Sequence, residues 1–83
     1  MRISVTQGHI DKGKPAECRA CAIALALQDA GFTNVRASYE RLEMGDGRAI
    51  TPLEVMDFML DFDAGKKDKC RPFEFDLVGD PQQ

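Results

Sequence analysis

One segment, residues 15–31, constrains the fold of this chain more than any other. It opens with Pro15, closes with Gly31 and holds the longest apolar run in the sequence. Proline is favoured in the first turn of a helix and glycine just after the last, so the segment predicts a helix. Apolar residues recur at the spacing of one helical face: Ala20, Ile23, Ala24 and Leu27. Because alanine is small, this face can pack closely against a β-sheet, and we expect it to form the centre of the core.

The elements before and just after this helix are strands and turns. Residues 2–6 alternate in polarity and predict a first strand, and Thr6 is expected to cap a single helical turn that stops at Gly13. Residues 34–38 predict a second strand. Residues 40–50 predict a hairpin with its tip at Asp46–Gly47, because Asp-Gly favours a tight turn.

The second half of the chain predicts one more helix and one more strand. Thr51, Pro52 and Glu54 form the signature of a capping box, so a second helix is expected to start there and to run to about Phe62. Its apolar stripe comprises Val55, Met56, Met59 and Phe62, with Phe58 and Leu60 on the flanks. Residues 72–78 alternate and predict the last strand, with Phe73, Phe75 and Leu77 facing inward.

These elements indicate an α+β fold in the order βαβββαβ. Neither helix can bury its apolar stripe alone, so we expect both to pack on one face of a mainly antiparallel sheet of four or five strands, an order compatible with a ferredoxin-like arrangement. Residues 1–83 are expected to form a single small domain, and residues 79–83 a frayed tail.

The charge balance narrows the classes of partner. The formal net charge of the 83 residues is −3, which argues against direct binding to nucleic acid or to an anionic membrane and is compatible with a basic protein surface. No apolar run approaches the roughly 20 residues of a membrane span, and the N-terminus lacks the apolar block of a signal peptide. These observations predict a cytoplasmic location.

The cysteines and the single histidine suggest two alternative functions. Cys18, Cys21, Cys70 and His9 together would complete a zinc site of three thiolates and one imidazole, as in a small zinc-stapled structural or regulatory module. The Cys-x-x-Cys spacing could also belong to a small thiol enzyme with Cys18 as its reactive group. Against both, Cys21 falls on the core-facing stripe, where a free cysteine acts as a small hydrophobe. The leading expectation is therefore a protein with no catalytic residues, no metal and no cofactor.

Acidic residues form the clearest candidate binding surface. Three share one face of the second predicted helix and three lie along the predicted hairpin: Glu54, Asp57 and Asp61, and Glu40, Glu43 and Asp46. If the two groups adjoin, they form an anionic surface for a lysine- and arginine-rich partner, with Phe58, Leu60 and Tyr39 as apolar anchors.

Three stretches also resemble a family of very small phage and prophage proteins. They are residues 3–13, the Cys18-x-x-Cys21 motif with the apolar run up to Leu27, and residues 62–66 followed by residues 72–75. Relatives often carry a proline after the second cysteine, where this chain has Ala22. Some chains of this kind resemble anti-CRISPR proteins, which block a bacterial CRISPR surveillance complex.

The resemblance implies a non-enzymatic, phage-encoded inhibitor that acts in the cytoplasm of a bacterial host. Its acidic surface would occupy a basic, nucleic-acid-handling surface of a CRISPR effector subunit and so block DNA binding. The family does not specify the binding residues, so the six acidic residues named above are chosen from the charge pattern alone.

Overall fold

A computed structural model describes residues 2–45 and 47–77 and confirms the α+β class. The strands are β1 (Arg2–Val5), β2 (Val35–Ala37), β3 (Arg41–Met44), β4 (Gly47–Ile50) and β5 (Phe73–Asp76). The helices are α1 (Gln7–Lys12), α2 (Ala22–Asp29) and α3 (Leu53–Asp63), followed by a short 3-10 turn (Lys67–Lys69). Asp46 and the tail at residues 79–83 lie outside the described residues. No helix in the described part of the chain is long and apolar enough to cross a membrane.

The strands form two antiparallel sheets, where the sequence predicted one. β1 pairs with β5, and β2, β3 and β4 form a three-stranded sheet in that order. The free edge of β2 is occupied by a loop, because the Ala37 N–H donates to the Cys18 carbonyl at 2.8 Å. α2 contacts both β1 and β2 and therefore links the two sheets through one core.

The central helix is shorter than predicted at its N-terminal end. It begins at Ala22 with Cys21 as its N-cap, so Pro15 does not open it. Residues 14–20 instead fold as a loop closed by the Lys14 N–H on the Ala20 carbonyl at 2.9 Å. Ala16 adopts φ +62°, in the left-handed region, and this conformation interrupts any helix that starts at Pro15.

The C-terminal end of α2 matches the prediction. Gly31 has φ +103° and its N–H donates to the Gln28 carbonyl at 3.0 Å, while the Phe32 N–H reaches the Leu27 carbonyl at 3.2 Å. This pair of bonds is a Schellman motif, which satisfies two carbonyl groups that the helix end leaves free. Glycine suits the position because it has no Cβ to clash at positive φ.

Two predicted turn details are wrong. Met44 pairs with Gly47, so Gly47 belongs to β4 and not to the hairpin tip. The predicted capping box also fails: Thr51 Oγ1 donates to the Ser38 carbonyl at 2.8 Å, and Pro52 is the N-cap of α3 without a side-chain cap. Thr51 is buried, so its hydroxyl bonds a nearby carbonyl of the fold in place of the helix end.

The core lies between the helices and the inner faces of both sheets. Ile3, Val5, Leu27, Phe62 and Phe75 are among its fully buried side chains. Phe58, predicted on a flank of α3, is also buried: its ring lies 5.8 Å from that of Phe62 and 5.1 Å from that of Phe73. α3 therefore packs against β5 through aromatic side chains, which fixes which of its faces points to solvent.

Candidate functional site

The outward face of α3 carries three of the six predicted acidic residues. Glu54 and Asp57 are exposed and Asp61 is half-buried, at positions i, i+3 and i+7 of one helix. The same helix exposes Leu53 at 71% and Leu60 at 53%. Within residues 2–45 and 47–77, none of the three carboxylates forms an ion pair. We call these five residues the acidic helix surface.

The hairpin acids have different surroundings. Glu40 is exposed just before β3, and its carbonyl accepts from the Thr51 N–H at 3.3 Å. Glu43 is half-buried in β3, where it pairs across the strands with Arg36 on one side and Arg48 on the other. The structure thus groups the three α3 acids on one helix and surrounds Glu43 with arginines.

Cys18 and Cys21 line a cavity of about 140 Å³ next to the C-terminal end of α3. Asp63 closes it with two hydrogen bonds: Oδ1 accepts from the Ala16 N–H at 2.9 Å and Oδ2 from the Tyr39 hydroxyl at 2.6 Å. These bonds join three segments of the chain, namely the 14–20 loop, the β2–β3 connection and α3. Residues 16 and 63 are far apart in sequence, and no local pattern signals that they meet.

Two groups beside this cavity have a raised pKa, the Cys21 thiol and the Tyr39 hydroxyl. Burial raises the pKa of the Cys21 thiol, and the hydrogen bond to Asp63 raises the pKa of the Tyr39 hydroxyl. A reactive thiol needs the opposite shift, since the thiolate is the nucleophile. Both oxygens of Asp63 already accept a hydrogen bond, so the arrangement functions as a structural tie between the three segments.

His9 has a structural environment of its own. The Thr6 N–H donates to His9 Nδ1 at 3.0 Å, and the His9 N–H reaches Thr6 Oγ1 at 3.3 Å, so the two residues form a capping box at the start of α1. Because Nδ1 accepts, we assign the ring proton to Nε2, which lies 2.5 Å from Asp29 Oδ2. His9 thereby ties α1 to the end of α2.

The four residues proposed as zinc ligands lie in three separate places. His9 bonds Thr6 and Asp29, Cys18 and Cys21 line the cavity, and the Cys70 thiol reaches the Lys66 carbonyl at 3.6 Å. In the part of the chain that the structure describes, no three His, Cys, Asp or Glu side chains are placed to hold a metal ion. The donor set that zinc requires is therefore not assembled from these four residues.

No protein-family model matches the sequence, and no curated protein or solved structure matches the chain. Function must therefore be inferred from the residues and the geometry described above. The acidic helix surface combines exposed apolar side chains with three carboxylates that form no ion pair to any other described residue.

Proposed function

We propose that the protein is a non-enzymatic binding module that inhibits a partner by placing its acidic helix surface on a basic, nucleic-acid-handling surface. The observation that carries the proposal is the outward face of α3, where exposed Leu53 and Leu60 stand beside the carboxylates of Glu54, Asp57 and Asp61. The resemblance to small phage proteins supports a CRISPR effector subunit of a bacterial host as the partner.

The composition of this face suits an interface. Leu53 and Leu60 are seven residues apart, about 10.5 Å along the helix, so two apolar anchors stand on one side of α3. Interfaces commonly combine a few buried anchors with a polar rim, and complementary charge adds speed and specificity to association. The inner face of α3 packs against β5, and Asp63 fixes its C-terminal end, so the surface is held by a rigid scaffold.

Binding to purified CRISPR effector subunits tests the proposal. We expect Glu54→Lys combined with Asp57→Lys to weaken binding at least tenfold, because each change replaces an attraction to basic groups by a repulsion. Leu60→Ser tests the apolar anchor and should weaken binding without changing the dependence on salt. Glu17→Lys combined with Asp68→Lys is the matched control, since both residues are exposed acids elsewhere on the molecule.

The possible outcomes test the location of the binding surface and the identity of the partner separately. If the α3 charge-reversal variant still binds and the control variant does not, the binding surface does not lie on α3. If the wild-type protein binds no effector subunit, the proposed CRISPR function is wrong, regardless of the results with the variants.

A further inference from the structure

The outer face of the three-stranded sheet has the opposite charge from the acidic helix surface. Arg19, Arg36 and Arg48 line a shallow concavity of about 370 Å³. The remaining lining residues are Asn34, Glu43, Gly45 and Gly47. We call this set the arginine concavity.

The fold gathers these arginines from distant parts of the sequence. Arg36, Glu43 and Arg48 are consecutive cross-strand partners on β2, β3 and β4, so they form a row on the outer face of the sheet. Neighbouring strands are about 4.8 Å apart, which places Arg36 and Arg48 about 10 Å from each other at the backbone. Arg19 joins the row because Ala37, next to Arg36, donates to the carbonyl of Cys18, next to Arg19.

The three guanidinium groups have no partner within residues 2–45 and 47–77. Arg2, in contrast, bonds Glu74 at 2.7 Å and Asp76 at 3.1 Å. Among the described residues, no hydrogen bond or ion pair involves the side chain of Arg19, Arg36 or Arg48, and all three residues are exposed. Arginine presents a planar fork of donors that matches phosphate and carboxylate oxygens, so three such groups around one concavity form a receptor for an oxyanion.

We propose that the arginine concavity binds a small phosphate monoester. Three arginines and one glutamate give the described lining a formal charge of +2, which matches the charge of about −1.5 to −2 on a phosphate monoester at pH 7. Residues 2–45 and 47–77 hold 11 basic and 12 acidic side chains, a formal charge of −1, so the described residues outside the concavity carry −3. A long polyanion would extend from the concavity onto this negative remainder, whereas a compact ester stays within the positive region.

Glu43 and Asn34 explain why the ligand is an ester and not free phosphate. Both can accept hydrogen bonds, and Asn34 can also donate, so they suit a hydroxyl or amino group on the carrier of the phosphate. The Glu43 carboxylate would repel any anionic group of the ligand other than the phosphate itself, so the rest of the ligand should be neutral. A sugar phosphate or a nucleoside monophosphate supplies both the dianion and the hydroxyl groups.

Titration of the ¹⁵N-labelled protein with three probes tests the proposal: inorganic phosphate, adenosine monophosphate and a ten-nucleotide single strand. We expect saturable shifts at residues of the arginine concavity, with tighter binding of adenosine monophosphate than of inorganic phosphate. Arg36→Gln combined with Arg48→Gln should weaken binding at least tenfold. The charge-matched control, Lys14→Gln combined with Lys69→Gln, changes exposed lysines outside the concavity and should alter binding less than twofold.

A further variant tests whether the concavity recognises the ester group or only attracts anions electrostatically. Glu43→Gln should increase the affinity for inorganic phosphate and reduce the preference for adenosine monophosphate. Thermal unfolding of each variant checks that the fold is retained, and Arg36→Lys replaces the arginine pair if the double variant does not fold.

Several results would overturn the proposal. They are the absence of saturable shifts with either small probe at millimolar concentration, equal loss of binding in the lysine control, and tighter binding of the single strand than of adenosine monophosphate. Saturable binding of an acidic peptide at the same residues, with no response to the phosphate probes, would identify a protein partner instead. None of these results depends on the acidic helix surface, which is tested separately.

Discussion

Among the described glycines, Gly13 is the one whose surroundings leave the least room for an added methyl group. Its backbone angles, φ −66° and ψ 150°, are open to any residue, so alanine is not excluded by conformation. Space excludes it: a Cβ would lie 2.7 Å from the Ala22 nitrogen, 2.8 Å from Phe62 Cζ and 2.9 Å from the His9 carbonyl oxygen. Gly13→Ala should therefore destabilise the fold through overpacking.

The structure sets the size of this effect. Two of the three close atoms belong to the backbone at α1 and α2, and the third belongs to a ring that is 1% exposed, so no flexible side chain can move away. Overpacking of a core costs about 1–3 kcal/mol, and these contacts place Gly13→Ala at the upper end. Alanine also restricts the unfolded chain, which returns about 0.4–1 kcal/mol. We expect a net loss of about 2 kcal/mol, or roughly 8–16 °C in Tm for a domain of this size.

Urea and thermal unfolding followed by circular dichroism measure the loss. Gly8→Ala is the matched control, because Gly8 lies within α1 and its added Cβ would be 3.6 Å from Thr6 Oγ1. Alanine is the better helix former, so the free energy of unfolding of this variant should rise by about 0.5–1 kcal/mol. Opposite signs for the two changes would support the packing described here. A Gly13→Ala variant within about 0.5 kcal/mol of the wild type would refute it.

Three further predictions concern the groups around the cavity and the start of α3. The pKa values of Tyr39 and Cys21 are raised in the folded state, so each group's contribution to stability is fully present below its unfolded pKa, about 8.5 for cysteine and about 10 for tyrosine, and is lost as pH rises through the folded value. Unfolding midpoints measured from pH 7 to 11 should therefore fall, and less steeply in Tyr39→Phe. Cys18 should react with iodoacetamide before Cys21, because Cys18 is half-buried and Cys21 is buried, and mass spectrometry of partly labelled protein would show the reverse order if this packing is wrong. Thr51→Val removes the bond to the Ser38 carbonyl and should cost about 1–2 kcal/mol in urea unfolding, a loss that Thr51→Ser should largely avoid.

Much of the fold was predictable from local patterns. The alternation in residues 2–6 and 72–78 identified β1 and β5, and Gly31 marked the end of α2, because strand faces and helix ends depend on neighbours within a few residues. Thr6 was identified as the cap of α1 for the same reason. The burial of Phe58 was not predicted, because it depends on contact with Phe73, which belongs to another element.

The candidate surfaces were predictable in part. Glu54, Asp57 and Asp61 share a helical face by spacing alone, and the structure places them together on α3. The surroundings of Glu43 were not evident, because cross-strand pairing with Arg36 and Arg48 requires the strand register. The tie from Asp63 to Tyr39 and Ala16 likewise joins residues that no periodic pattern relates.

Local patterns in the sequence were therefore enough to predict the α+β class, the order of the strands and the longer helices, and most of the apolar face that each one buries. Periodicity and capping are local properties, and the residues that express them are neighbours along the chain. The partners of several hydrogen-bonding groups, by contrast, follow only from the tertiary structure. It placed the Cys18 carbonyl on the edge of β2, started α2 at Ala22 and directed the Thr51 hydroxyl to Ser38. Each of these outcomes depends on which distant groups come within about 3 Å, and that is settled only when the whole core packs.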